Sequence, residues 1–233
     1  MCDAETPPSG RYDSNFGNAE LVTPRPKRIC DITMSSMNLA LREPMSLAEF
    51  LAWEKRQPVR YEFDGVGPVA MTGGTLAHAR IQRNLAYVLT GRLRGGPCEF
   101  IGSDLKIKTS EDHIRYPDGI VICGRGDNAS TIAPDPVVIF EVLSPSTAAD
   151  DRIVKAREYQ AMSSVQRYVM LEQDRVAATV YARVGHAWTH DILVEESVLD
   201  LPEIGVALPL ADLFAGIVFE DADADGPTDA QPG

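Results

Sequence analysis

Two carboxylates stand in stretches that ordinarily exclude charge. Glu141 sits inside PVVIFEVLSPST (136–147), and Asp118 follows Pro117 inside IRYPDGIVIC (114–123). A charge buried in an apolar strand is costly unless something pairs with it. If the two segments are neighbouring strands, their acids converge at one level of a sheet. At about 4 Å two carboxylates repel strongly and call for a cation or a shared proton between them. A hard divalent ion bound through oxygen, Mg²⁺ or Mn²⁺, meets that need. Lys155 lies one turn or more into the helix expected after the Glu141 strand, from where it can point back over the sheet edge. The plainer alternative is that each acid bonds an arginine or a backbone amide while Lys155 is solvated. Asp151, Arg152 and Arg157 make charge commonplace on that helix, so position has to decide.

Several elements must position these groups. In PMSLAEFLAWEKRQP, Ser46 and Glu49 form a capping box ahead of an apolar stripe of Leu47, Phe50, Leu51 and Trp53, which predicts a helix. RYEFDGVGPVAMTGG (60–74) reads as a strand, a turn at Asp64-Gly65 and a returning strand. TLAHARIQRNLAYVLTGRLRGG (75–96) carries Ile81, Leu85, Val88 and Leu89 at helical spacing and is stopped by glycines. CEFIGSDLKIKT (98–109) and IRYPDGIVIC each read as one strand, and PVVIFEVL as a central strand covered on both faces. SPSTAADDRIVKAREYQAM (144–162) becomes a helix. QRYVMLEQ, RVAATVYAR and HAWTHDILVE are three further strands, the last two a hairpin turning at Val184-Gly185. This order predicts a mixed α/β domain.

Composition sets the bounds. The chain has 233 residues, 44% of them hydrophobic, which suits one domain with ragged ends. Residues 1–40 and 220–233 lack sustained periodicity and are expected to be disordered, leaving 41–219 as the domain. The net charge of −12 argues against indiscriminate nucleic-acid binding, although the tail EDADADGPTDAQPG holds five acids and no Lys or Arg. Between 80 and 108 the balance reverses, with Arg80, Arg83, Arg92, Arg94, Lys106 and Lys108 facing only Glu99 and Asp104. Four dispersed cysteines lack metal-finger spacing; Cys98 and Cys123 are expected to pack as small hydrophobes, with no disulfide framework. No secretory signal and no membrane-spanning run is evident, so a soluble, cytoplasmic protein is expected.

YPDGIVI, FEVLSPST and Asp150, Lys155 and Tyr159 in D-x(4)-K-x(3)-Y together resemble the Uma-two family, within the PD-(D/E)XK nuclease superfamily. The resemblance covers about residues 45–212, including LAEFLAWEKRQ, YEFDG, MTGGTLAHARI and GSDLKIK. It implies a restriction-endonuclease-like fold, with a central mixed β-sheet flanked by helices. Pro117-Asp118 then matches the PD element and Glu141 the acid of the ExK element. Leu143 stands where the superfamily lysine is expected, and Lys155 takes its place from the helix. Glu62 in RYEFDG matches a further acid that joins the site. Asp104 is a weaker candidate, and His78 is expected on a helix near the site. The implied activity is Mg²⁺- or Mn²⁺-dependent hydrolysis of DNA phosphodiesters, with Asp118 and Glu141 as metal ligands and the Val142 carbonyl as an additional one. Lys155 would orient the attacking water or stabilise phosphoryl charge. A homodimer is expected, pairing through a sheet edge formed by the strands after residue 165. The rival readings are a non-catalytic nuclease fold that binds nucleic acid or a partner, and a Mg²⁺ phosphohydrolase of small nucleotides.

Overall fold

In the computed structural model of the protein, the described residues are 44–71, 73–110, 112–144 and 151–219. The terminal segments expected to be disordered, and Asp150 of the lysine motif, lie outside them.

The chain opens with α1 (Leu47–Glu54), capped reciprocally by Ser46 and Glu49 as the sequence predicts. The hairpin β1 (Tyr61–Phe63) and β2 (Pro68–Ala70) follows, then α2 (Leu76–Leu93), whose Thr75 hydroxyl caps the His78 N–H. Next come β3 (Cys98–Gly102), β4 (Ile107–Lys108), β5 (Ile114–Arg115), β6 (Gly119–Cys123) and β7 (Pro136–Val142). A wide π-helical turn, Asp151–Lys155, leads into α3 (Ala156–Ala161). The chain continues through β8 (Arg167–Leu171), β9 (Ala177–Val184), β10 (Ala187–Val194), β11 (Val198–Leu201) and β12 (Val206–Pro209).

The main sheet runs β10-β9-β8-β7-β6-β3. Only β7 and β8 pair in parallel within it, which is why a helix must intervene between them. Its central strand, β7, is covered on both faces. Val138, Phe140 and Val142 pack toward Ile81, Leu85 and Leu89 of α2. Ile139 packs on the opposite face with Ala156 and Tyr159 of α3. Each fully buried aliphatic side chain stabilises by roughly 1.5–3 kcal/mol, and these two layers clamp the strand that carries Glu141.

Two expected strands are each divided between sheets. CEFIGSDLKIKT turns at Ser103-Asp104, so β3 joins the main sheet while β4 joins a smaller one, β2-β1-β5-β4. IRYPDGIVIC breaks at Tyr116-Pro117-Asp118, with β5 in the small sheet and β6 in the main one. Pro117 has no N–H to give a ladder, and period-2 alternation does not report a change of sheet. Asp118 therefore stands where the chain crosses from one sheet to the other, not within a strand. Gly119 follows it because a Cβ there would come within 2.6 Å of the Phe100 ring across the β3–β6 pair.

Cys98 and Cys123 face each other directly in that pair and form a disulfide, correcting the reading of both as small hydrophobes. Their separation of 25 residues gives no sign of the pairing; only the strand register does. The β11–β12 hairpin and the turn Leu210–Phe214 also go beyond the sequence reading. They pack Leu208, Leu210, Leu213 and Phe214 against the α2 layer. No helix among the described residues is long and apolar enough to cross a membrane.

Candidate active site

The β6–β7 register sets Gly119 opposite Phe140, so one step further along the pair brings Asp118 level with Glu141. Both acids line one cavity of about 540 Å³, together with Glu62, Lys155, His78 and Gln82. The four residues singled out from sequence, Asp118, Glu141, Lys155 and Glu62, are thus brought together from the β5–β6 junction, β7, the turn before α3, and β1.

Asp118 is oriented by three donors. The Val142 N–H reaches its Oδ2 at 2.6 Å, while His78 Nε2 and Gln82 Nε2 reach Oδ1 at 3.1 and 2.5 Å. His78 and Gln82 lie four residues apart on α2, one helical turn, so both meet the same carboxylate. Glu141 is 4% exposed. Its Oε1 accepts from the Tyr159 hydroxyl at 2.9 Å and from Lys155 Nζ at 3.3 Å. Burial, with the charges of Glu141 and Glu62 beside it, raises the Tyr159 pKa well above the ordinary phenol value. Tyr159 therefore stays protonated and acts as a fixed donor.

Glu62 joins the group as a bridge. Its Oε1 lies 3.2 Å from Lys155 Nζ and accepts the Tyr116 N–H at 3.1 Å, and its Oε2 lies 3.2 Å from Arg115. Arg115 in turn makes a two-pronged contact to Glu158 at 2.7 and 2.5 Å, and His113 Nδ1 meets Glu158 Oε1 at 2.8 Å. Burial pushes the Glu158 carboxyl up, but hydrogen bonds from Arg115 and His113 outweigh it and hold the pKa below the usual carboxylate value. Burial likewise opposes charge on Arg115, and Glu158 and Glu62 more than offset it, raising its pKa. A chain of buried charge thus runs from Glu141 through Lys155, Glu62 and Arg115 to Glu158.

Asp104 stays outside this group: its side chain is 86% exposed on the β3–β4 turn and ion-paired with Arg60. Gln82, Arg115 and Glu158 were not singled out from sequence. For Gln82 a signal existed in its one-turn spacing from His78. For Glu158 there was none, because a glutamate on a short helix is usually solvated.

The sequence matches the model of the Uma2 family, described as "Putative restriction endonuclease", over residues 47–211. The chain belongs to the Uma2 family. A Synechocystis sp. relative named "Uncharacterized protein slr1290" is 32% identical over 178 residues, spanning 75% of this chain and 94% of its own. A second, "Uncharacterized protein sll1609" from the same organism, is 28% identical over 153 residues, 64% of this chain and 86% of its own. Among solved structures, the chain is similar to one from Anabaena variabilis titled as a putative nuclease belonging to DUF820. The TM-score is 0.58 at 19% identity, covering 73% of this chain and 98% of that one. The Uma2 fold seen here is thus the mixed, helix-flanked sheet of restriction-endonuclease-like proteins.

Proposed function

We propose that this Uma2 protein is a metal-dependent endonuclease that hydrolyses DNA phosphodiester bonds, with Asp118 and Glu141 holding Mg²⁺ or Mn²⁺. The observation that carries the reading is the lining of one cavity by two oriented carboxylates and a buried lysine. The family description and the printed title of the Anabaena structure support it.

The donor set suits such an ion. No three His, Cys, Asp or Glu side chains are grouped at metal-binding spacing among the described residues. Magnesium, however, commonly takes only one or two protein carboxylates and completes its shell with water and phosphate oxygens. The Val142 carbonyl is a further possible ligand in this proposal. A divalent ion so held supplies a more acidic water and a polarised phosphate. The chain's own groups do the rest. The Val142 N–H, His78 and Gln82 fix the Asp118 carboxylate, and Tyr159 fixes Glu141. Glu62 holds Lys155 over the cavity, where its ammonium would stabilise charge developing on the phosphoryl oxygens.

We also propose a homodimer. The exposed strand β10 ends the main sheet and offers free backbone groups for pairing across a two-fold axis. Light scattering at micromolar concentration checks this, and a monomer would refute it.

The activity test is purified protein with plasmid and Mg²⁺, Mn²⁺ or EDTA, alongside Asp118→Asn. Nicking that requires the metal and is lost in the variant is the expected result. A folded wild type that cuts neither plasmid nor single-stranded DNA in either metal would leave the non-catalytic binding module as the better reading.

A further inference from the structure

The depth and walls of the cavity bear on which nucleic acid it can take, a question that rests on the hydrolase reading above. The reacting groups form its floor. Glu141 is 4% exposed, and the side chains of Lys155 and Asp118 are 12% and 13% exposed. A phosphodiester must therefore enter the cavity to meet them. Around that floor the walls mix polar Asp64 and Ser103 with aliphatic Val69 and Ala70 from β2, Met71 after it, and Val154 beside the lysine. Met71 and Val154 are also exposed, at 36% and 43%, so apolar surface continues outward from the acids.

Paired B-DNA matches this poorly. It is stiff over about 150 base pairs and keeps its bases stacked inside, offering only sugar and phosphate to an apolar wall. Its affinity for proteins comes mainly from free Lys and Arg that neutralise several phosphates. Here the cavity's two cationic side chains, Arg115 and Lys155, are already ion-paired with glutamates. A single strand differs in stiffness and in the access to its bases. It bends at every nucleotide, it can deliver one phosphate into a cavity of about 540 Å³, and its unstacked bases can pack against apolar side chains.

We propose that the substrate is unpaired nucleic acid, a single strand or an unpaired stretch within a duplex. Its phosphate meets Asp118, Glu141 and Lys155, and the adjoining bases lie against Met71 and Val154. The step is hydrolysis: water adds to phosphorus, the bond to one ester oxygen breaks, and that oxygen leaves with the proton.

The test compares end-labelled 30-residue strands with wild-type protein and Mn²⁺. The arms are single-stranded DNA, single-stranded RNA, the fully paired DNA duplex, and that duplex with a five-nucleotide bulge. The expected result is cleavage of single strands and of the bulge at least tenfold faster than the paired duplex, with the DNA and RNA arms deciding the sugar. Met71→Ser should lower the single-strand rate about fivefold, less than the loss of an aromatic stack, while its melting temperature stays at the wild-type value. Cleavage of the paired duplex as fast as the single strand would overturn this inference and leave the hydrolase reading intact. Cleavage of none of the four would overturn both.

Discussion

Two lysine–glutamate pairs with little exposure stand among the described residues, and they differ in what surrounds them. Lys106 pairs with Glu54 between the β3–β4 connection and α1, and Glu54 also accepts the Tyr116 hydroxyl at 2.5 Å. Lys155 pairs with Glu141 and Glu62. The exposures are close, 8% and 5% for the first pair against 12% and 5% for Lys155 and Glu141. The difference lies in the neighbours. The first pair joins α1 to the small sheet, and Lys106 Nζ lies 5.6 Å from the centre of the Tyr116 ring. The second faces a cavity that a further acid, Asp118 from the β5–β6 junction, also lines. A buried ion pair is thus not by itself a site. Convergence of like charges on open space is what calls for a ligand.

The comparison can be broken at either pair. Glu54→Gln leaves Lys106 as a buried charge without its counter-ion, so a loss of roughly 3–5 kcal/mol is expected in urea unfolding. Cleavage per folded molecule should stay within about twofold of wild type. A stable Glu54→Gln protein with no activity would mean that the two pairs are not separate in role. Lys155→Ala should lower the cleavage rate by about 10²-fold while metal still raises the melting temperature, because the lysine acts on the substrate's charge. Abolished metal response in that variant would instead make the lysine part of the binding site. Gln82→Ala removes one of three donors to Asp118, and losses for such supporting groups run at about 10-fold upward in metal affinity or rate. An unchanged manganese titration would show that His78 and the Val142 N–H suffice.

Much of this arrangement was legible before the structure. The capping box at Ser46 and Glu49, the stripe on α2 and the apolar run of β7 each report local physics, and each formed where expected. Asp118 and Glu141 stood out because charge interrupted apolar runs. What escaped is non-local. IRYPDGIVIC, Pro117 included, reads as one strand from sequence, and only the sheet order reveals the crossing. The Cys98–Cys123 pairing depends on a register that spacing does not encode. Glu54 and Lys106 lie 52 residues apart, and nothing in either local sequence points to the other. Glu62 was legible as an acid near the site, but its bridging of Lys155 and Arg115 required the fold.

Thermal unfolding tests the proposed metal site at Asp118 and Glu141 without relying on cleavage. Wild type and Glu141→Gln are melted with and without millimolar Mn²⁺. Mn²⁺ should raise the wild-type melting temperature and leave that of Glu141→Gln unchanged, while the metal-free variant is about as stable as wild type. A wild type indifferent to Mn²⁺, together with a Glu141→Gln protein destabilised by several kcal/mol, would contradict the metal site and make Glu141 a structural ion-pair partner like Glu54.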